Sequence, residues 1–298
     1  MKTLFYLLLL FLGLVGVERL THSLTDGFSY QSITSPLPYE PAWDTPFTPE
    51  ELQSAKEALN QPYYYLESGS QSYVFVSKDE KYVLKFFKHK RWRLPSLIDQ
   101  IPLPSPLDFK RKQWKQKKKQ TVYSTFNSCK VSYEEFKDHT GVFYLHLNPT
   151  KYLKQILTVK DGIGLKHQID LDSISFVLQK KATPTHQYLL HLKASGNIDR
   201  AQEALRDLLN LTLYRAQKGY SDKDPHLIRN FGFLNHQVVE IDIGGFHQDP
   251  KKDLPYFYSH EIYRIQKKLL PWLDRYYPEL SPYAEEQIKK LIENQEFL

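Results

Sequence analysis

Apolar and polar positions alternate in three different rhythms along this chain. Residues 4–17 are apolar on every side, broken only by Gly13 and Gly16, and follow Lys2. A basic start and a short apolar run of this kind match a secretory signal or a membrane anchor. The run is shorter than the ~20 residues that span a bilayer comfortably. The expectation is therefore a membrane-anchored or exported chain, with residues 1–20 as the signal or anchor segment. Residues 18–47 are rich in Ser, Thr and Pro without a period, which predicts a linker or loosely packed extension. Thr48-Pro49-Glu50-Glu51 then supplies an N-cap, a first-turn proline and a capping-box glutamate, so a helix should run to about Asn60.

From Tyr63 the rhythm changes to short β-rich runs. Residues 63–66, 73–76 and 82–84 predict a strand followed by a hairpin across Lys78-Asp79-Glu80-Lys81. A proline-rich loop over 94–107 precedes a helical pattern over 108–139. There Val122, Phe126, Cys129, Tyr133 and Phe136 recur at spacings of four and three, and Gly141 follows as a stop. Strands are expected at 142–147, 153–159 and 175–178, with a turn at Asp161-Gly162. A helix opens at Asn197, buries Ile198, Ala201, Leu205, Leu208 and Ala216, and ends at Gly219. A polar loop over 220–230, strands near 231–233 and 238–243, and helices over 259–275 (kinked at Pro271) and 282–293 (capped by Ser281) complete the order. Strands, helix, strands, helix, loop, strands and helices make an α+β order.

Composition narrows this. The 298 residues, 41% hydrophobic and 25% charged, allow one domain of ordinary core size plus an extension. The single Cys129 excludes an internal disulfide and a cysteine-based zinc site. No His-Glu-x-x-His or similar spacing suggests a metal cage. The net charge of +6 is concentrated: seven of the ten residues 110–119 are basic, with Lys110 and Lys119 at its ends. Such a face attracts phosphate-bearing partners, an anionic membrane surface among them. Trp114 is the one aromatic in the run and no nucleic-acid motif is present, so nucleic acid is not expected.

Two constellations carry chemistry. Glu67-Ser68-Gly69-Ser70-Gln71-Ser72-Tyr73-Val74 lies between two strand-like runs, and Lys85 follows on the next one. Later, Asp222-Lys223-Asp224-Pro225 leads to Asn230, and twelve residues on comes Asp242-Ile243-Gly244. Together these resemble the protein kinase-like superfamily, over roughly residues 63–245. The first set resembles the glycine loop and strand lysine that grip nucleotide phosphates. The second resembles the catalytic Asp, the metal-binding Asn and the Asp-Phe-Gly triplet.

The resemblance implies a two-lobed fold with a small β-rich N-lobe (about 62–180) and a reduced helical C-lobe (about 181–298), after an extension over 21–61. It implies ATP and Mg2+ as cofactors and phosphoryl transfer to an unknown lipid, sugar or protein hydroxyl. Gly69, Ser70, Ser72, Val74 and Lys85 would contact nucleotide. Asp224, with Asp222 as the alternative, would be the catalytic carboxylate, and Asn230 and Asp242 would hold metal. Glu134, or else its neighbour Glu135, would pair with Lys85. Departures stand beside these matches. Glu67 occupies the first glycine position, no His-Arg precedes Asp224, and the Asp224–Asn230 spacing is one residue long. No Ala-Pro-Glu follows in the last 54 residues. They leave a non-catalytic, pseudokinase-type binding module as the alternative.

Overall fold

The computed structural model describes residues 2–92, 101–252 and 256–295. The chain divides into two compact units: Met1–Val122 with Tyr144–Leu178, and Tyr123–Phe143 with Gln179–Leu298. The first is rich in strands and the second mainly helical. That is the α+β class expected from the element order.

The first unit is organised by a curled seven-stranded sheet. Its strands are β1 (Tyr63–Ser68), β2 (Ser72–Ser77), β3 (Tyr82–Phe87), β4 (Val142–His146), β5 (Ile156–Lys160), β6 (Lys166–Asp170) and β7 (Phe176–Lys180). The spatial order is β4-β7-β3-β2-β1-β5-β6. Alternation along β2 and β3 sends Phe75, Leu84 and Phe86 into one core face, all fully buried. Phe75 and Phe86 meet edge to face at 5.7 Å, and Phe86 meets Phe176 at 6.5 Å. The opposite face is left to Val74 and Lys85, which sit directly across from each other.

Residues 18–47 are not a loose linker. The N-terminal helix continues to Leu24, and short helices form at Tyr30–Ile33 and Pro41–Trp43. Phe28, Ile33 and Trp43 are buried. Phe28 packs 4.9 Å from Phe75, and the Asn148 side chain bonds both backbone groups of Glu40. Widely spaced apolar residues pin this segment, which a periodicity argument overlooks. Helix Pro49–Leu59 forms as expected, with the Thr48–Glu51 capping box in place. Strand β6 was not anticipated, because Lys166-His167-Gln168-Ile169-Asp170 holds one apolar residue; Asp161-Gly162 turns the chain into it.

Among the described residues, no helix is long and apolar enough to cross a membrane. Helix Lys2–Leu24 nevertheless leaves Leu10, Phe11, Leu12 and Leu14 exposed.

The long helix spans Ser105–Glu134, starting three residues earlier than expected, with Pro106 in its first turn where no N–H is missed. Residues 93–100 of the expected loop lie outside the described residues. The stripe Phe126, Cys129, Tyr133 and Phe136 is buried as read. The second unit's core joins helices Thr185–Ala194, Ile198–Gln217, Phe257–Tyr276 and Ser281–Gln295 around Leu205, Leu208, Ile262, Ile265, Leu269 and Ile288. The first of these helices was not foreseen. Helix Phe257–Tyr276 runs on through Pro271. Ser281 opens the last helix from inside and bonds Asp274. Two small sheets complete the unit. One pairs β10 (Phe231–Leu234) with β11 (Gln237–Glu240) and with β8 (Thr183–Pro184). The other pairs β9 (Tyr220–Asp222) with β12 (Phe246–Gln248).

Leu208 is fully buried at the centre of this core. Leu208→Ala is expected to cost about 2–5 kcal/mol in chemical denaturation, the range for a large-to-small change in a packed core.

Candidate functional site

In the first unit, the turn between β1 and β2 carries Gly69 and Ser70. Gly69 N–H donates to the Ser72 carbonyl at 2.9 Å. A side-chain carbon on Gly69 would come no closer than 3.6 Å to that oxygen. The fold itself therefore does not demand glycine here. Glu67, Val74 and Lys85 form one cross-strand row, Glu67 opposite Val74 and Val74 opposite Lys85. Two cations missed in the sequence hold the turn's carbonyls. Lys88 Nζ donates to Gly69 O at 2.6 Å and to Ser68 Oγ, and Arg91 donates to Ser70 O. Burial lowers the Lys88 pKa, with the Arg91 charge adding to it. Nothing in the local pattern marks Lys88 as different from its neighbours Lys90 and Arg91.

In the second unit, helix Ile198–Gln217 stops at Gly219, whose φ of +80° suits glycine. The chain enters β9, where Asp222 sits opposite Phe246. A β-carbon on Gly245 would lie 2.0 Å from Asp222 Oδ1, so only glycine lets this carboxylate lie against the backbone. Asp222 is 2% exposed, and its Oδ1 accepts the Asp224 N–H at 3.1 Å while its buried Oδ2 has no partner. Burial pushes its pKa up, against the pull of Arg215. Asp224 contrasts with it: its side chain is 71% exposed and pairs with Lys268. That bond holds its pKa below the usual carboxylate range. Environment thus separates the two candidate acids, one buried against backbone and one open to solvent.

Asn230 joins the loops. Its side-chain N–H donates to the Asp224 carbonyl at 2.7 Å. Its own carbonyl accepts from Ile241 N at 2.6 Å and Asp242 N at 3.1 Å. The one-turn helix Leu227–Asn230 takes up the extra residue in the Asp224–Asn230 spacing. Strand β11 ends at Glu240, earlier than the expected 243, because those two N–H groups turn to Asn230 instead of a ladder. Ser128 brackets the triplet from the long helix: its hydroxyl donates to Ile243 O and accepts from Phe246 N at 2.6 Å. A buried serine on an apolar stripe gives no sequence signal for this role. Glu134 is exposed and lies 3.6 Å from Lys130. Lys85 belongs to the other unit.

Behind the loops lies a buried ionic cluster that sequence reading missed entirely. Arg215 is 1% exposed; one end of its guanidinium contacts Glu240 and the other lies 3.9 Å from Glu261. Glu261 also pairs with Arg264 at 2.8 Å, and Arg264 donates to Ser221 Oγ and to the Asp222 carbonyl, both at 2.7 Å. Burial opposes the Arg215 charge, but Glu240, Asp222 and Glu261 outweigh it and keep the guanidinium protonated. Burial likewise pushes Glu240 up to about 8 against the pull of Arg215. Asp222, Glu240 and Glu261 surround Arg215, and Arg264 adds a second cation beside Glu261.

Among the described residues, no three His, Cys, Asp or Glu side chains converge on a metal position. A closed protein cage of that kind is therefore not built. The Asn230 amide uses its nitrogen on Asp224 O, so its oxygen is the atom that could ligate an ion, with the Asp242 carboxylate as the other candidate. One amide and one carboxylate suit Mg2+, a hard ion that takes its remaining ligands from phosphate and water.

No family profile and no curated protein matches the chain. Among solved structures, the chain is similar to WbdD, described as a bifunctional kinase-methyltransferase. One WbdD structure has 16% identity and a TM-score of 0.37, covering 81% of this chain and 47% of that one. Another, a complex with the kinase inhibitor LY294002, has 16% identity and a TM-score of 0.33 over 78% and 46%. An Rv3197–erythromycin complex from Mycobacterium tuberculosis has 12% identity and a TM-score of 0.33 over 81% and 60%. The chain thus spans about half the length of the WbdD chains. At TM-scores below 0.5 these are partial resemblances, and the functional reading stands on this chain's own residues.

The raised Glu240 pKa fixes a pH dependence. The folded state holds a proton that the unfolded chain, with an ordinary value of 4.5, has already released. This contribution to stability is full below about pH 4.5 and is lost as pH rises to about 8. Denaturation midpoints should show that decline, and Glu240→Gln should flatten it.

Proposed function

We propose that the chain is a phosphotransferase using ATP and Mg2+ to phosphorylate a lipid, sugar or protein hydroxyl. The observation that supports this most is the Asn230 junction. One residue, independently matched to a metal ligand, bonds the backbone of both acids matched to catalysis and metal binding. In this reading Asp224 accepts the hydroxyl proton, being open to solvent and held ionised. Asn230 and Asp242 hold Mg2+, which supplies charge neutralisation at the phosphates. Lys85 grips the nucleotide phosphates from β3, and the turn carrying Gly69, Ser70 and Ser72 covers them. Asp222 takes a supporting role beneath the loop.

The alternative is a nucleotide-binding module without turnover. Lys268 on the Asp224 carboxylate favours it, because a carboxylate so engaged does not accept a proton. Melting the full chain with ATP–Mg2+ separates the cases. Ligand at 100 times its Kd should add about 2.7 kcal/mol of stability. Lys85→Met and Asp242→Ala should remove that gain. A gain without product would favour the binding module, and no gain for the wild type would exclude both.

We further propose work at an anionic membrane surface. The 105–119 stretch sets seven cations against Asp108 alone and leaves Leu107, Phe109 and Trp114 more than half exposed. Cations beside Trp and Phe on one helix suit the headgroup layer. Residues 1–17 would add anchoring where they are retained. Sedimentation with anionic vesicles should exceed that with zwitterionic ones and fall with salt. Equal binding to both would rule out the electrostatic part.

A further inference from the structure

Lys268 lies on the carboxylate that the reaction needs free. Its place is built rather than incidental. Glu261, Arg264 and Lys268 recur at three and four residues on helix Phe257–Tyr276, so they line one face. Glu261 is buried and fixes Arg264, and Arg264 grips the backbone of the 220–224 loop. Lys268, one turn further on, is thereby carried to Asp224. Other basic groups near the loop are differently engaged. Lys223 Nζ bonds Ser124 Oγ, and Arg264 is spent on carbonyls and Glu261. Arg229 adds positive potential around Asp224, and burial together with the Lys268 and Arg229 charges lowers the His226 pKa.

We infer that Lys268 is a phosphoryl-binding residue that exchanges its Asp224 contact for the terminal phosphate of a nucleoside triphosphate. This rests on the phosphotransferase reading. In the exchange, the exposed Lys268–Asp224 pair costs little to break, since both ends are solvated. A phosphoryl group carries more charge than one carboxylate and draws the ammonium off on its flexible stem. Asp224 is then released to accept the acceptor's hydroxyl proton. The acceptor oxygen bonds the γ-phosphorus as the γ-phosphorus–bridging oxygen bond breaks. The electron pair leaves on the diphosphate, and Lys268 keeps its own protons while it balances the transferred charge. The empty site is thus held with its acid engaged, and the triphosphate itself frees it.

The test compares two nucleotides on the full chain: ADP–Mg2+ and a non-hydrolysable triphosphate analogue with Mg2+. Lys268 touches only the terminal phosphate, so the wild type should bind the triphosphate more tightly. Lys268→Met should lower that preference about tenfold, the worth of one charge-assisted contact. ADP affinity should be unchanged and Lys268→Arg should keep most of the preference. Lys267→Met is the control, because Lys267 lies over the Tyr263 ring, 4.5 Å from its centre. A Lys268→Met chain that keeps the full preference, or a wild type with none, overturns the inference while nucleotide binding still stands. A wild type that binds neither nucleotide overturns the phosphotransferase reading and this inference with it.

Discussion

A guanidinium without solvent organises the functional end of the second unit. Arg215 reaches Glu240 at the end of β11 and Glu261 on helix Phe257–Tyr276, and its charge lies 5.3 Å from the Phe246 ring centre on β12. Three elements that flank the acidic loops thus converge on one cation. Burying such groups is costly, and apolar replacements often give equal or better stability. Removing one partner alone is worse, because the remaining charge has no water to turn to; breaking such pairs costs about 3–5 kcal/mol. The cluster therefore fixes arrangement more than it adds stability. It ties the end of β11 to helix Phe257–Tyr276.

From that constraint the rest of the site follows in order. Arg264, held by Glu261, fixes the Ser221 hydroxyl and the Asp222 carbonyl. Gly245 lets Asp222 lie against the strand that follows the triplet. Asn230 spans the two loops, and Ser128 closes the triplet from the long helix. The two acids two residues apart then differ in everything that matters chemically. Asp222 is dry, with burial favouring its neutral form, whereas Asp224 is wet and held ionised by a cation. Of the two, only the Asp224 side chain is open to solvent, which is why the proposal gives it the proton-accepting role.

Much of this fold was legible in the sequence because its elements are locally consistent. The Thr48 capping box, the 126–136 apolar stripe and the Asn197-to-Gly219 helix form as read. The order and spacing of the acids and Asn230 carry the resemblance, but the bonds that join Asn230 to the backbone of Asp224 and Asp242 are not written in that spacing. What escaped was set by distant partners. The segment 18–47 is held by isolated aromatic residues, not by a period. Strand β6 forms by pairing with β5, with one apolar residue of its own. Arg215, Ser128 and Lys268 sit on helices, where a single polar residue reads as a solvated face. Only the partner brought by the fold gives each its meaning.

The central claim is that Asn230 and Asp242 hold a divalent ion on nucleotide phosphates. Substituting Mn2+ for Mg2+ makes that directly visible, because paramagnetic resonance distinguishes free from protein-bound Mn2+–ATP. The account predicts bound Mn2+–ATP for the wild type and for Asp222→Asn, whose neutral amide replaces an acid that burial already pushes toward its neutral form. It predicts loss of the bound signal in Asn230→Ala and Asp242→Ala, with the fold intact by circular dichroism. An Asp242→Ala chain that still binds Mn2+–ATP like the wild type would contradict it.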